Sequence, residues 1–479
     1  MRGWRDELLF DLSSSSPLPV FFLFHLFLFI IILNKSMERK MKQESLGKKI
    51  IRLAFPATVE NIFQTLVGFV DTLLIAQLGL VAVTAVGLAN TILNVYLAVY
   101  MALGVGATAL IARSIGAGDK EAVAYQVRQA VVLSLGTGLI FGVLSLVFGR
   151  QMLVLMGAYA ESLAGAQAFF YWVGGLTLFQ ALMTILGTIL RASGDTVTPM
   201  KISLLTNVFN VALDYILIFG LGSWSGLGIV GTALGTVLAR LLGTVLLYRK
   251  VQQTDLAVEL KQLFHFGSPK EMVDLTLPAA AERLVMRLGQ VVYFSLIVGL
   301  GTTVYASHMI AGNIESFTYM PAYGLATAAA VLIGQALGKG DILTVRRVAF
   351  LSSAYGVAIM SLLGTILFFG APSFALLFTK DLEAIKQVVT ALRIDAFNQP
   401  GLAVSLIMAG ALQGLGDTKS PLYSTMIGMW GLRVVGVIVL GQMFGLGIAG
   451  VWLSILIDLL LRAIFLTWRF HVKIRKLAK

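Results

Sequence analysis

Leu190-Arg-Ala-Ser-Gly-Asp-Thr-Val-Thr-Pro199 returns 222 residues later as Leu412-Gln-Gly-Leu-Gly-Asp-Thr-Lys-Ser-Pro421. The same offset carries Pro56-Ala57-x-x-Glu60 onto Pro278-Ala279-x-x-Glu282 and Leu78-Gly79 onto Leu300-Gly301. It also carries Gly116-x-Gly118-Asp119 onto Gly338-x-Gly340-Asp341. An offset that does not drift marks a duplicated module. Each copy is mostly apolar, and a duplicated hydrophobic module points to a transporter in which one half rocks against the other.

The 479 residues are 58% hydrophobic and 13% charged, with a mean hydropathy of +0.88. A soluble domain carries about 25% charged residues, so this chain needs lipid to cover its apolar surface. The 49 glycines suit membrane helices, which small residues let approach closely. Absence of Cys excludes disulfides, thiolate metal sites and a Cys nucleophile. His25, His265, His308 and His471 have no metal-ligand spacing, and no convergent acid–base set suggests an enzyme or a resident cofactor.

Net charge is +12, and its placement sets topology. Basic residues gather before the first repeat (Lys48, Lys49, Arg52), at the Gly-x-Gly-Asp loops (Arg113, Lys120, Lys339, Arg346), around Arg191 and Lys201, in the central linker and at the C-terminus. The connections at 77–80, 221–228, 299–303 and 441–447 have none. The positive-inside rule makes the basic side cytoplasmic, with both ends of the repeated core there. No basic stripe with interleaved aromatics supports a nucleic-acid partner.

Twelve apolar stretches follow, near 51–78, 84–112, 122–148, 161–189, 198–221, 228–248, 272–299, 304–334, 344–371, 385–412, 422–442 and 448–470. Each exceeds the roughly 20 residues that cross a bilayer. The expected fold is an all-α membrane protein of two six-helix lobes. An even number of crossings per copy gives both the same orientation and a pseudo-twofold axis along the membrane normal. The expected divisions are an N-terminal extension at 1–45, lobes at 46–250 and 271–479, and a cytoplasmic linker at 251–270. Within the extension, Pro17 to Leu33 is an apolar run without a small-residue cleavage site. It reads either as an extra crossing or as translated upstream sequence, with initiation at Met37 or Met41.

Asp71 lies in Leu66-Val-Gly-Phe-Val-Asp-Thr-Leu-Leu-Ile75 with nothing basic within a helical turn. An ionisable residue so placed is a functional candidate by default. Glu60, Gln64 and Asp71 share one helical face, as do Asn207, Asn210 and Asp214. Asp71 is eight residues before Gly79 and Asp214 eight before Gly222, so both carboxylates lie roughly 12 Å below the outer boundary. Thr232 enters at a comparable level. Two carboxylates, an amide and a hydroxyl make an oxygen-rich site for a hard cation or a shared proton. Burial in oil disfavours an ionised carboxylate, and a second carboxylate beside it disfavours ionisation further.

The second copy replaces Asp71 by Tyr293, Asp214 by Gly436 and Thr232 by Val451, so the chemistry belongs to the first copy. Structural readings compete. A membrane Thr commonly bonds to its own helix. Glu60 and Glu282 recur by symmetry, as structural residues would. Asp458 and Arg462, at i and i+4, form an internal salt bridge, and His308 fills a packing role. Asp119, Asp195, Asp341 and Asp417 cap helices.

The paired Gly-Asp-Thr-x-x-Pro and Gly-x-Gly-Asp loops on a six-plus-six frame resemble the multidrug and toxic compound extrusion (MATE) family over about residues 46–475, nearest its DNA-damage-inducible F-type branch. The resemblance implies a cation site of Asp71, Asn210, Asp214 and Thr232, holding a proton or sodium. It implies a helix-1 bend at Pro56 and a cavity lined by Gln64, Asn207, Tyr171 and Gln180. Glu60, Glu282 and Glu315 are further acidic candidates, since sodium-dependent members also use C-terminal carboxylates. The expected activity is antiport of lipophilic organic cations by a monomer in a prokaryotic plasma (inner) membrane. The alternative is a lipid-linked oligosaccharide flippase of the same superfamily, favoured by a cavity dominated by Arg283, Arg287 and Arg433.

Overall fold

The computed structural model describes residues 45–221, 225–257 and 267–477. The N-terminal extension with its apolar run, Gly222 and the linker stretch 258–266 lie outside the described residues. Every regular element among the described residues is a helix. The first half contains α1 (Leu46–Ala76), α2 (Leu80–Ala117), α3 (Lys120–Leu155), α4 (Ala160–Gly175), α5 (Leu178–Ser193), α6 (Val197–Phe219) and α7 (Ile229–Gln252). The second contains α8 (Lys270–Val298), α9 (Thr302–Thr318), α10 (Met320–Gly338), α11 (Ile342–Phe378), α12 (Leu382–Gly414), α13 (Lys419–Met443) and α14 (Gly447–Leu477).

The loops that betray the repeat also set the helix ends. Gly118 and Gly340 each take φ +73°, a left-handed conformation open to glycine without steric cost, and end their helices. The next residue starts the following helix. Asp119 accepts the Ala122 amide and Asp341 the Thr344 amide, each at 2.9 Å, and Asp195 and Asp417 cap α6 and α13 in the same way. Hydrogen bonds from the Thr344 hydroxyl and amide hold the Asp341 carboxyl below the usual carboxylate range.

Nine of these helices are long and apolar enough to cross a bilayer, or ten spans when the α4–α5 pair, bent by 45°, is taken as one. Of the twelve expected stretches, α8 and α12 do not reach that level. The reason is polar cargo: α8 carries Glu282, Arg283 and Arg287, and α12 carries Asp395, Asn398 and Gln399. Much of α13 is wound as a π-helix, over Ile427–Val434 and Val437–Met443. α1 runs unbroken through Pro56, whose ring removes one backbone donor from the ladder.

Each half has cores of its own. One packs Tyr96, Tyr100, Phe169 and Phe170 between α2, α3 and α4, and another packs Tyr293, Met360, Val451 and Trp452 within the second half. Between the halves, α1 and α2 meet α10, and α2 meets α8. The contacts obey the repeat. Ala112 and Gly334 are equivalent positions, and they touch each other: a Cβ on Gly334 would come within 2.9 Å of the Ala112 Cβ. The backbone of Gly116 lies on the Gln335 carbonyl, and its equivalent Gly338 lies on the Arg113 carbonyl. Residue i on j and j on i is the signature of a twofold contact. It lies at the basic ends of α2 and α10, where any side chain at Gly116 or Gly338 would separate the helices.

Candidate functional site

α1 packs on α6, and α6 on α7, so three helices bring one carboxylate, one amide–carboxylate pair and one hydroxyl together. Asp71 is half-buried on α1, while Asn210, Asp214 and Thr232 are buried. The Asp214 carboxylate feels the Asp71 charge and has the Asn210 side chain beside it. It rests directly against Gly235 of α7, where a Cβ would occupy the carboxylate's own space. A glycine there is what allows an acid between two packed helices.

The polar atoms of this group are unsatisfied within the protein. Asp71 Oδ1, both Asp214 carboxylate oxygens, Thr232 Oγ1, and the side-chain nitrogens of Asn207 and Asn210 are buried without a hydrogen-bond partner. Buried polar groups are nearly always paired, so a cluster of orphans asks for a ligand. Thr232 is the clearest case. Thr58, Thr65, Thr72, Thr84, Thr91, Thr137, Thr184 and Thr188 all donate to the carbonyl four residues earlier. Thr232 does not, and its hydroxyl is left for the cluster.

The donors fit a hard monovalent cation or a proton: two carboxylates, a hydroxyl and amide groups whose carbonyl oxygens are available by rotation. Among the described residues no group of three or more His, Cys, Asp or Glu could hold a metal ion.

The equivalent place in the second half is a packed core. Tyr293 and Val451 are buried there, and Gly436 lies against Ser454. His308 sits among Tyr293, Phe294 and Trp452 at ring-centre separations of 5.5–5.8 Å, in the packing role expected of it, though its Nδ1 has no partner.

Other candidates fall elsewhere. Glu60 is ion-paired to Arg191 at 3.1 Å, with both side chains largely buried. Arg191 is thus more than a charge marking topology. It reaches from the last turn of α5 over Gly187 to α1. Gln64 bridges Glu60 and Ser203 at 3.5 and 3.4 Å, one edge of the polar stripe on α1. Tyr171 accepts from Gln167 and lies over Gly149 of α3, and Gln180 donates to Thr184 on its own helix. Neither hydrogen-bonds to the Asp71–Asp214 group.

Charges in the second half are mostly compensated. Asp458 is held by both Arg433 and Arg462. Asp395 accepts from Asn398 and Gln399, and Glu315 lies within electrostatic reach of Asp395 and Arg433. Glu282 accepts from Thr425 and has Arg283 and Arg462 near it. Arg240, midway along α7 and near Tyr100, was not singled out from the sequence. Its only sequence signal is a lone Arg in an apolar helix.

The sequence pattern of the MatE family matches residues 56–216 and again 278–439, at the offset of the internal repeat. A probable multidrug resistance protein NorM from Thermotoga maritima is 30% identical over 437 residues, covering 90% of this chain and 93% of its own. A solved MOP superfamily transporter from Pyrococcus furiosus superposes with a TM-score of 0.84 at 24% identity, over 90% of this chain and 97% of that one. A structure described as the outward-facing conformation of a multidrug resistance MATE family transporter agrees equally well, with a TM-score of 0.84, 24% identity and the same coverage.

Proposed function

The chain belongs to the MatE family of multi-pass membrane transporters, which are not enzymes, and from that premise we propose that it exports lipophilic organic cations in exchange for protons or sodium. Its multidrug-resistance relatives support a multidrug transporter with small-molecule substrates. The single observation that carries coupling is the set of unpaired polar atoms on Asp71, Asn210, Asp214 and Thr232, with Asn207 at their edge, in a half whose twin has Tyr293, Gly436 and Val451, and so no carboxylate, at the equivalent positions.

Two carboxylates close together in a low-dielectric region repel, and a proton or sodium ion between them relieves the repulsion. In our reading, loading from outside lets α1 repack near Pro56 and lowers affinity for the drug. Discharge inside resets the site. Each inward charge brings about 2.3 kcal/mol per 100 mV. The organic cation and the coupling ion thus exclude each other through the position of α1. The twelve crossings are read with α8 and α12 as spans whose polar faces are covered by neighbouring helices. The reciprocal contact of Ala112 with Gly334 supports two six-helix lobes that close at the basic, cytoplasmic ends and open outward.

The domain limits given above, a monomeric state and a prokaryotic inner membrane complete the proposal. The finer placement in the DNA-damage-inducible F-type branch rests on the loop sequences alone, and the Thermotoga relative carries a NorM name. The flippase alternative needs a cationic cavity, but Arg433 is committed to Asp458, and Arg283 lies beside Glu282. The test is ethidium or norfloxacin efflux in vesicles under an imposed proton or sodium gradient. Drug accumulation driven by one of the gradients supports the proposal. Flipping of lipid-linked sugars without drug movement overturns it.

A further inference from the structure

A groove of about 640 Å³ runs along the outer face of the second half, between α11, α12 and α14. α14 packs on α12, α13 and the start of α9, all in the second half. Pro400 and Gly401 form the groove floor. They carry no long side chain, and Leu460 of α14 packs directly onto Gly401, closing the groove at that point. One wall is the stripe Leu460, Ile464, Trp468, His471 and Arg475 of α14, at helical spacings of four, four, three and four. The stripe is apolar at its Leu460 end and cationic at its Arg475 end. Ile464 and Trp468 are 66% and 57% exposed, as residues against hydrocarbon would be.

The basic residues of this helix divide by face. Arg469 and Lys473 turn inward to Asp417, and Arg469 also donates to Ser420 at 2.9 Å. Arg475 lies at the groove with no acidic partner among the described residues. His471 Nδ1 donates to the Thr467 carbonyl at 2.8 Å, which turns its Nε2 away from the helix backbone. From Leu460 to Arg475 the helix rises roughly 22 Å, and one leaflet with its headgroups is about 20–22 Å thick. The groove thus spans one leaflet on the basic side, with hydrocarbon walls inside and the Arg475 guanidinium at headgroup level.

We infer that this groove is a binding site for one anionic phospholipid of the cytoplasmic leaflet, its acyl chain along Leu460, Ile464 and Trp468 and its phosphate on Arg475 and His471. Arginine suits a phosphate because its planar fork gives two parallel hydrogen bonds, and Trp468 stands at the interface level where Trp is enriched.

The test is native mass spectrometry of the purified full chain in detergent, titrated with dioleoyl phosphatidylglycerol or dioleoyl phosphatidylcholine. The parent is expected to hold one phosphatidylglycerol about tenfold more tightly than phosphatidylcholine, the scale of one charged hydrogen-bonded contact. Arg475→Ala should remove that preference, whereas Lys476→Ala, which deletes the same charge one residue away, should keep it. Ile464→Trp narrows the groove with the charges intact and should weaken both lipids. Equal binding of the two lipids by the parent would overturn the site. So would an Arg475→Ala protein that keeps the preference, or an Ile464→Trp protein that binds as the parent does.

Discussion

The Asp214 carboxylate lies directly against Gly235, and the second half reverses the pair: Gly436 lies against Ser454. A large group on the first helix meets a glycine on the second, and in the twin a glycine on the first meets a larger group on the second. Both packings fill the same gap between α6 and α7 or between α13 and α14. Only one delivers a carboxylate. This reciprocity separates what the fold needs from what the function needs.

The double substitution Asp214→Gly with Gly235→Ser should reproduce the second half's packing. Gly235→Ser alone should be overpacked by about 1–3 kcal/mol and melt lower. The double variant should recover most of that melting temperature and still fail to accumulate drug against a gradient. Thermal unfolding in detergent, alongside vesicle efflux, checks both parts. A double variant that exports normally would show Asp214 to be structural.

Arg191 and Glu60 meet 131 residues apart in the sequence. Removing one partner leaves a largely buried charge, at a cost of up to about 3–5 kcal/mol for full burial and less here because both side chains are partly exposed. Arg191→Ala should therefore unfold at a clearly lower temperature, and Arg191→Ala with Glu60→Gln should regain much of the loss. A double-mutant cycle measures the coupling, and additive effects would show that the pair contributes nothing.

Ala112 and Gly334 touch across the interface between the halves. The chain has no cysteine of its own, so Ala112→Cys with Gly334→Cys gives a single readable pair. Oxidation should link the halves after a small local shift, since bridged Cβ atoms lie about 3.5–4.5 Å apart. Efflux should stop and return on reduction. A fully formed link without loss of efflux would mean that the halves do not separate there during transport.

Thr232→Val keeps shape and removes the hydroxyl. Since Thr232 Oγ1 makes no bond to its own helix, folding should be nearly unaffected. The coupling-ion concentration for half-maximal efflux should rise by about tenfold to 150-fold, the worth of one hydrogen bond to a charged group. Efflux titrated against proton or sodium concentration reads this directly, and Thr232→Ser should restore it.

Much of this was legible from sequence because charge in an apolar helix is rare enough to stand out. Asp71 and Asp214 showed themselves that way, and the repeat offset located the loops and glycine caps. What stayed hidden depends on long-range register. Arg191 at a helix end looks like a topology marker until α1 is packed against it. Gly235 is one of many small membrane residues until the Asp214 carboxylate is seen on it. The break at Leu176–Thr177 redirects the faces of α4 and α5, so one helical period could not carry Tyr171 and Gln180 to the site together. The π-winding of α13 likewise defeats a 3.6-residue period, and it brings Arg433 onto Asp458, 25 residues on.

The most direct measurement is drug transport by proteoliposomes containing the Asp214→Asn protein, under whichever ion gradient drives the parent. The variant is expected to bind the drug and equilibrate it, but not to concentrate it, at any size of gradient. Accumulation equal to the parent's would contradict the claim that the unpaired carboxylates of the first half link ion entry to export.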